Sequence, residues 1–255
     1  MTLLSTTYEQ EFNTIINTVQ NEARDKLIQK VIGQPQIPQL ALALQFLFFK
    51  EQHYSLRHIR EYCASTALVQ MALNIHNEVS PDHSTPLRQR QLQVLAGDFY
   101  SGKFYQILAH RGDTHVIHFL SDAVCLINQA RTNLYDLFLN NQLSVEKYVH
   151  ETEKICTALL KSWLQHERTK DNDNWDKLVS NLLTAEQLIA DLSGTLPAYW
   201  PSSVNTQLQQ KAWQLIEQSR LLVQDWDSQK TKRELEHLIE VTFPGVTHLG
   251  IAEEC

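Results

Sequence analysis

Carboxylates three or four residues apart at a helix end can hold magnesium and, through it, engage a diphosphate. This 255-residue chain approaches that arrangement at Leu73-Asn74-Ile75-His76-Asn77-Glu78-Val79-Ser80-Pro81-Asp82. There Glu78 stands beside the amide Asn77, and the next carboxylate along the chain is Asp82. Other chemistries lack their residues. No Gly-x-Ser-x-Gly turn presents a nucleophilic serine, and no cysteine carries a reactive signature. The seven glycines are isolated, so no glycine-rich loop cradles a phosphate. His115 and His118 stand three apart, near His110, but a metal site would need a further Cys, Asp or Glu on the same face, and they read as surface histidines. The polar group His53, Arg57, His58 and Arg60 reads as a solvated turn and helix start rather than a phosphate site.

The elements that carry these residues are helical. Gly and Pro are few, seven each, and strand-like alternation is nearly absent, which predicts an all-α protein. Ala64, Ala67, Leu68, Met71, Ala72, Ile75 and Val79 recur at intervals of three and four, one apolar face of a buried helix that Ser80-Pro81-Asp82 stops. A helix over Leu92–Ala109 follows. Leu95, Phe99, Phe104 and Leu108 are its bulky contacts, while Ala96, Gly97, Ser101 and Gly102 are small enough to let another helix come close. Asp98 is expected to bond to a neighbouring helix.

Upstream, the pattern predicts a single amphipathic helix over Tyr8–Ile32, ended by Gly33, Pro35 and Pro38. The apolar segment Leu40–Phe49 is either a core helix or a surface that meets a partner or a lipidic ligand, because a helix apolar all round must be covered. Downstream, helices are expected over 115–140, 145–164, 178–192, 206–226 and 230–242. The charged run Gln165–Asp176 and the stretch Leu196–Ser203 read as loops. That makes about ten helices in a single domain, 1–255.

Bulk properties narrow the class. A hydrophobic content of 43% supports one sizeable core. A net charge of −7 argues against a nucleic-acid surface, which is usually basic. Cys63, Cys125, Cys156 and Cys255 lie far apart and read as free thiols of a reducing compartment. No basic-then-apolar leader is visible, and the run Leu40–Phe49, interrupted by Gln45, is shorter than the ~20 residues a bilayer needs. A cytoplasmic location is expected.

Two motifs carry a resemblance. The helix end Leu73–Pro81 is similar to the first aspartate-rich motif of trans-isoprenyl diphosphate synthases, in which Leu-His precedes the carboxylates. Leu95-Ala96-Gly97-Asp98-Phe99 onward resembles the helix that follows it in those enzymes. Taken together, Leu68–Val79 and Leu95–Tyr105 more closely resemble the small, non-catalytic component of two-component heptaprenyl diphosphate synthases. The strong similarity covers about Ala64–His110, and its second motif is the more specific.

The departures from the catalytic pattern are as informative. His76 matches the family histidine, but Asn77, Glu78 and Pro81 stand where catalytic members place carboxylates. An amide loses the charge that holds magnesium, and proline offers no ligand. Arg88 and Arg90 only echo the diphosphate-binding arginines. A second acidic cluster, matched to Gln187–Gly194, would keep one carboxylate, Asp191.

The resemblance therefore implies a multi-helix bundle of the isoprenoid-synthase type with a degenerate site at His76, Asn77 and Glu78, no catalytic residue, and no metal or cofactor held by this chain. It further implies a heterodimer with a catalytic large subunit that carries the Mg2+. The pair would extend farnesyl diphosphate with isopentenyl diphosphate to a long polyprenyl diphosphate for the menaquinone side chain, with possible contact between this chain and the product. The partner interface is expected at Leu95, Phe99, Gly102, Phe104, Tyr105, Ile117 and Leu120. Two alternatives remain at this stage: a diverged stand-alone prenyl or terpene enzyme using Glu78 and Asp82, and a non-enzymatic helical scaffold.

Overall fold

The computed structural model describes residues 3–5, 7–33, 36–79, 85–167, 172–194 and 202–245. Among them are ten α-helices and no strand. The chain divides into two compact units, residues 6–122 and residues 1–5 with 123–255.

The first unit holds α1 (Glu9–Glu22), α2 (Lys26–Val31), α3 (Gln39–Glu51), α4 (Leu56–Asn77), α5 (Leu87–Arg111) and the start of α6 (Thr114–Leu139). The long helix expected over Tyr8–Ile32 is in fact two. The Asp25 carboxylate accepts hydrogen bonds from the backbone N–H groups of Leu27 and Ile28, both at 2.9 Å, and so starts α2 afresh. A short acidic side chain satisfies the first free N–H groups of a helix better than continued helix would.

From Leu42 to Phe49, α3 is buried all round. Tyr8 and Phe12 set their rings edge-on to Phe46 at 5.3 and 5.8 Å, and Gln45 donates to the Thr66 hydroxyl of α4 at 2.9 Å. The apolar segment is thus a core helix. α4 packs on α1, α3 and α5, and it begins at Ser55, whose hydroxyl caps the His58 N–H. α5 begins at Leu87, five residues earlier than the hydrophobic period suggests, because its first turn is exposed and carries polar residues.

The second unit holds the rest of α6, α7 (Val145–Glu167), α8 (Asn172–Leu192), α9 (Ser202–Gln224) and α10 (Gln229–Thr242). α8 packs on both α7 and α9, and α10 packs on α9. Trp175 and Trp226 meet edge to face at 5.0 Å in its core. The charged run expected as a loop is largely helical, since α7 continues to Glu167 and α8 starts at Asn172. Its charges sit on solvated helix ends, where Lys161 reaches Glu153 at 3.1 Å and Asp176 at 3.5 Å. Most of the expected loop Leu196–Ser203, and the helix stop Ser80-Pro81-Asp82, lie outside the described residues; Ser202 already opens α9. Leu4 is fully buried, and Ser5 gives both its N–H, at 3.0 Å, and its hydroxyl to the buried carboxylate of Glu234 on α10.

Candidate functional site

The end of α4 and the adjoining face of α5 bring the two motifs together. In α4 the expected face is buried at Ala64, Ala67, Leu68, Met71, Ala72 and Ile75, and the helix ends at Asn77. Beside that face Gln70 donates to Asn74 at 2.9 Å. His76, Asn77 and Glu78 emerge into solvent at the last turn.

On α5, Gln93, Ala96, Gly97, Tyr100, Phe104 and Leu108 turn inward. Gly97 is small for a specific reason. A Cβ there would lie 1.8 Å from Cδ2 and 1.9 Å from Nε2 of His76, so the imidazole occupies the place of the missing side chain. From that notch, Nε2 of His76 stands 3.6 Å from Oδ1 of Asp98, close to the neighbouring helix but beyond hydrogen-bond distance. Both side chains remain partly solvated, so a polar contact at this distance adds little, and packing in the notch is what fixes the ring.

The opposite ends of α4 and α5 are tied by charge. Arg111 pairs with Glu61 and with Asp113, the latter at 2.5 Å, and lies over the Tyr62 ring at 4.9 Å, while the Tyr62 hydroxyl donates to Asp113 at 3.0 Å. Burial works to raise the Asp113 pKa, but the hydrogen bonds from Arg111 and Tyr62 outweigh it and hold the carboxyl below its ordinary range. Gly112, at φ 78°, takes the left-handed turn that closes α5.

Asp191, the one carboxylate expected to match a second acidic cluster, has a different setting. Asp191 on α8 is 6% exposed. It accepts from the Tyr148 hydroxyl of α7 at 2.5 Å and from the Gln187 amide at 2.7 Å. Burial, followed by the charge of Asp191, pushes the Tyr148 phenol far above its usual range. Tyr148 lies 43 residues away, so no local signal in the sequence pointed to it.

The donor set does not suit a magnesium cluster. The end of α4 offers an amide and a single carboxylate, Asp98 is directed to His76, and Asp191 serves its own hydrogen bonds. Among the described residues there is no group of three His, Cys, Asp or Glu able to hold a metal. His110, His115 and His118 are exposed, and His118 lies 3.2 Å from Asp122 one turn on.

The family described as heptaprenyl diphosphate synthase (HEPPP synthase) subunit 1 matches residues 26–241. The chain belongs to this family. A relative from Geobacillus stearothermophilus, heptaprenyl diphosphate synthase component 1, is 48% identical over 69 residues. That stretch is 27% of this chain and spans 31% of the relative's length. The fold is that of the prenyl synthases. A geranylgeranyl pyrophosphate synthase from Lactobacillus brevis superposes with a TM-score of 0.70 at 14% identity, covering 92% of this chain and 96% of that one. A decaprenyl diphosphate synthase from Rhodobacter capsulatus gives 0.68 at 13% identity, covering 95% and 98%.

In this subunit 1 chain the residues expected to meet a partner divide in two. Leu95, at 60% exposure, Tyr105, at 47%, and Gly102 face solvent along one side of α5, with Phe99 half-buried at its edge. Exposed Val94 extends that side, although the sequence had not singled it out. Gly102 has no atom within 4 Å of where a Cβ would stand. Phe104, at 2%, and Leu120, at 0%, are buried inside the chain, and Ile117 is half-buried. Phe104 falls on the side of α5 that turns inward every third or fourth residue, and Leu120 falls on the inward side of α6, one turn after buried Val116. Cys63 is buried, Cys125 exposed and Cys156 half-buried, all free thiols, while Cys255 lies outside the described residues. No helix among the described residues is long and apolar enough to cross a membrane.

Proposed function

We propose that this chain is the auxiliary subunit of a heteromeric long-chain polyprenyl diphosphate synthase. It pairs with a catalytic large subunit that holds Mg2+ and condenses isopentenyl diphosphate with farnesyl diphosphate. A heptaprenyl product, destined for the menaquinone side chain and made in the cytoplasm, fits the family. The observation that carries the reading is the contrast between the end of α4, with Asn77 and a lone Glu78 in place of a carboxylate cluster, and the solvated apolar side of α5 at Leu95, Phe99, Gly102 and Tyr105. Apolar side chains gathered on one exposed side of a helix suit a protein–protein contact. In the complex, this chain's own residues supply apolar contact area and a fixed α4–α5 pair, and the partner supplies the acidic motifs.

The test is a prenyl-transfer assay with farnesyl diphosphate, isopentenyl diphosphate and Mg2+. It compares this chain, the catalytic large subunit, and their mixture. Long products from the mixture alone support the proposal. Turnover by this chain alone overturns it in favour of a diverged enzyme, and silence in every arm with folded proteins overturns it in favour of a scaffold.

A further inference from the structure

Gly97 and Gly102 lie on one helix, yet one is filled and the other open. The filled one is occupied by a side chain from a different helix, and that side chain belongs to the degenerate motif. The His76 ring leaves α4 at its last turn, crosses the notch at Gly97 and ends 3.6 Å from Asp98. Asp98 is on the solvated side of α5, between Leu95 and Gly102. A single imidazole therefore spans from the end of α4 to the face of α5 on which the proposed partner would sit. Asp98 stays largely exposed while it does so.

We propose that His76 is a positioning residue: seated in the Gly97 notch and reaching Asp98, its imidazole holds the motif end of α4 against α5 and keeps the α5 face in the form the catalytic subunit docks on. The inference rests on the proposed function for the identity of the partner, but the seating itself does not. Two features make it more than ordinary packing. Any side chain at position 97 would collide with the ring, so the glycine and the histidine form one steric unit. The ring enters the buried stripe of α5 at Gly97, one turn from Tyr100 and two from Phe104, yet its Nε2 comes out 3.6 Å from the exposed Asp98.

The unit can be tested by a double substitution. Gly97→Ala alone should lower thermal stability, because the new methyl overlaps the imidazole. H76A with G97A should recover that stability, because the methyl then fills the vacated notch. A packing role ends there. A positioning role predicts that the double variant, although as stable as wild type, still binds the catalytic large subunit at least tenfold more weakly. It also predicts that backbone amide exchange over Ile75–Glu78 in the isolated chain is faster than in wild type. Wild-type affinity and wild-type exchange in the double variant overturn the inference and leave the proposed function standing. Failure of the wild-type chain to bind the large subunit overturns the proposed function and the partner half of this inference. In that event the exchange measurement alone decides whether His76 fixes the end of α4.

Discussion

The two places at which the resemblance leads one to expect acidic motifs differ in opposite ways from an exposed carboxylate cluster. At the end of α4 the side chains are still in solvent, but their types have changed: Asn77 is an amide and only Glu78 is a carboxylate. At the end of α8 a carboxylate has been kept but withdrawn. Asp191 is buried, with one oxygen bonded to Tyr148 and the other to Gln187. Exposed polar groups are cheap to change because water replaces whatever they lose. A buried carboxylate persists only if donors surround it, and once they do it becomes part of the fold. The first site is therefore tolerant to substitution and the second is not.

Removing the carboxylate at each site gives the largest expected contrast. Asp191→Ala takes away the acceptor shared by Tyr148 and Gln187 and should cost about 2–3 kcal/mol, a fall in Tm of roughly 5–10 °C for a chain of this size. Glu78→Ala should stay within about 0.5 kcal/mol of wild type. Equal losses in thermal unfolding would erase the distinction between the two ends.

Glu186, five residues before Asp191 on α8, sharpens the contrast through pH. Packed neighbours desolvate its carboxyl and push it up to about 7, although the residue as a whole is exposed. A folded pKa above the unfolded one means the folded chain holds the extra proton in between. Stability should then fall as pH rises from about 4.5 to 7 and level off beyond. Because the side chain still reaches solvent, screening keeps the effect below that of a closed site. E186Q, neutral throughout, should flatten the Tm-against-pH profile across that window. An unchanged slope would place the titrating group elsewhere.

How far the sequence anticipated this follows the range of each signal. Helix positions were legible because a period of three to four repeats locally, as Ala64 to Ile75 and the α5 pattern illustrate. The break at Asp25 was missed because the apolar period runs straight across it, while a capping carboxylate acts within three residues. Asp98 was expected to hydrogen-bond to a neighbouring helix, and it approaches His76 of α4 only to 3.6 Å. The setting of Asp191 depends on Tyr148 from another helix, a contact that no local pattern encodes. Which of the residues expected at an interface reach solvent was only half legible. Hydrophobicity marked Phe104 and Tyr105 alike, and only the angle around α5 separates the buried one from the exposed one.

Gly102 offers a smaller effect with two opposite signs. Its Cβ position is open, so Gly102→Ala should stabilise the isolated chain by up to about 1 kcal/mol through helix propensity alone. If a partner helix packs there, Gly102→Leu should weaken binding to the catalytic large subunit at least tenfold while leaving the isolated chain's Tm no lower than wild type. Unimpaired binding by the leucine variant would move the interface off this side of α5.

The smallest change returns a charge to the open site. Asn77→Asp places a second carboxylate beside Glu78 at the C-terminal end of α4, where the helix dipole disfavours it. The expected cost is about 0.3–1 kcal/mol, less at high salt. Two adjacent carboxylates on one helix end do not enclose a magnesium ion, which demands a near-octahedral set of oxygens. Millimolar Mg2+ should accordingly leave the Tm of both wild type and N77D unchanged, since a ligand that bound the folded state would raise it. A Tm that climbed with Mg2+ in N77D but not in wild type would show the end of α4 to be one residue from a working metal site. The open site would then have been lost through that one substitution, whereas the buried carboxylate at Asp191 would still require its partners to be rebuilt.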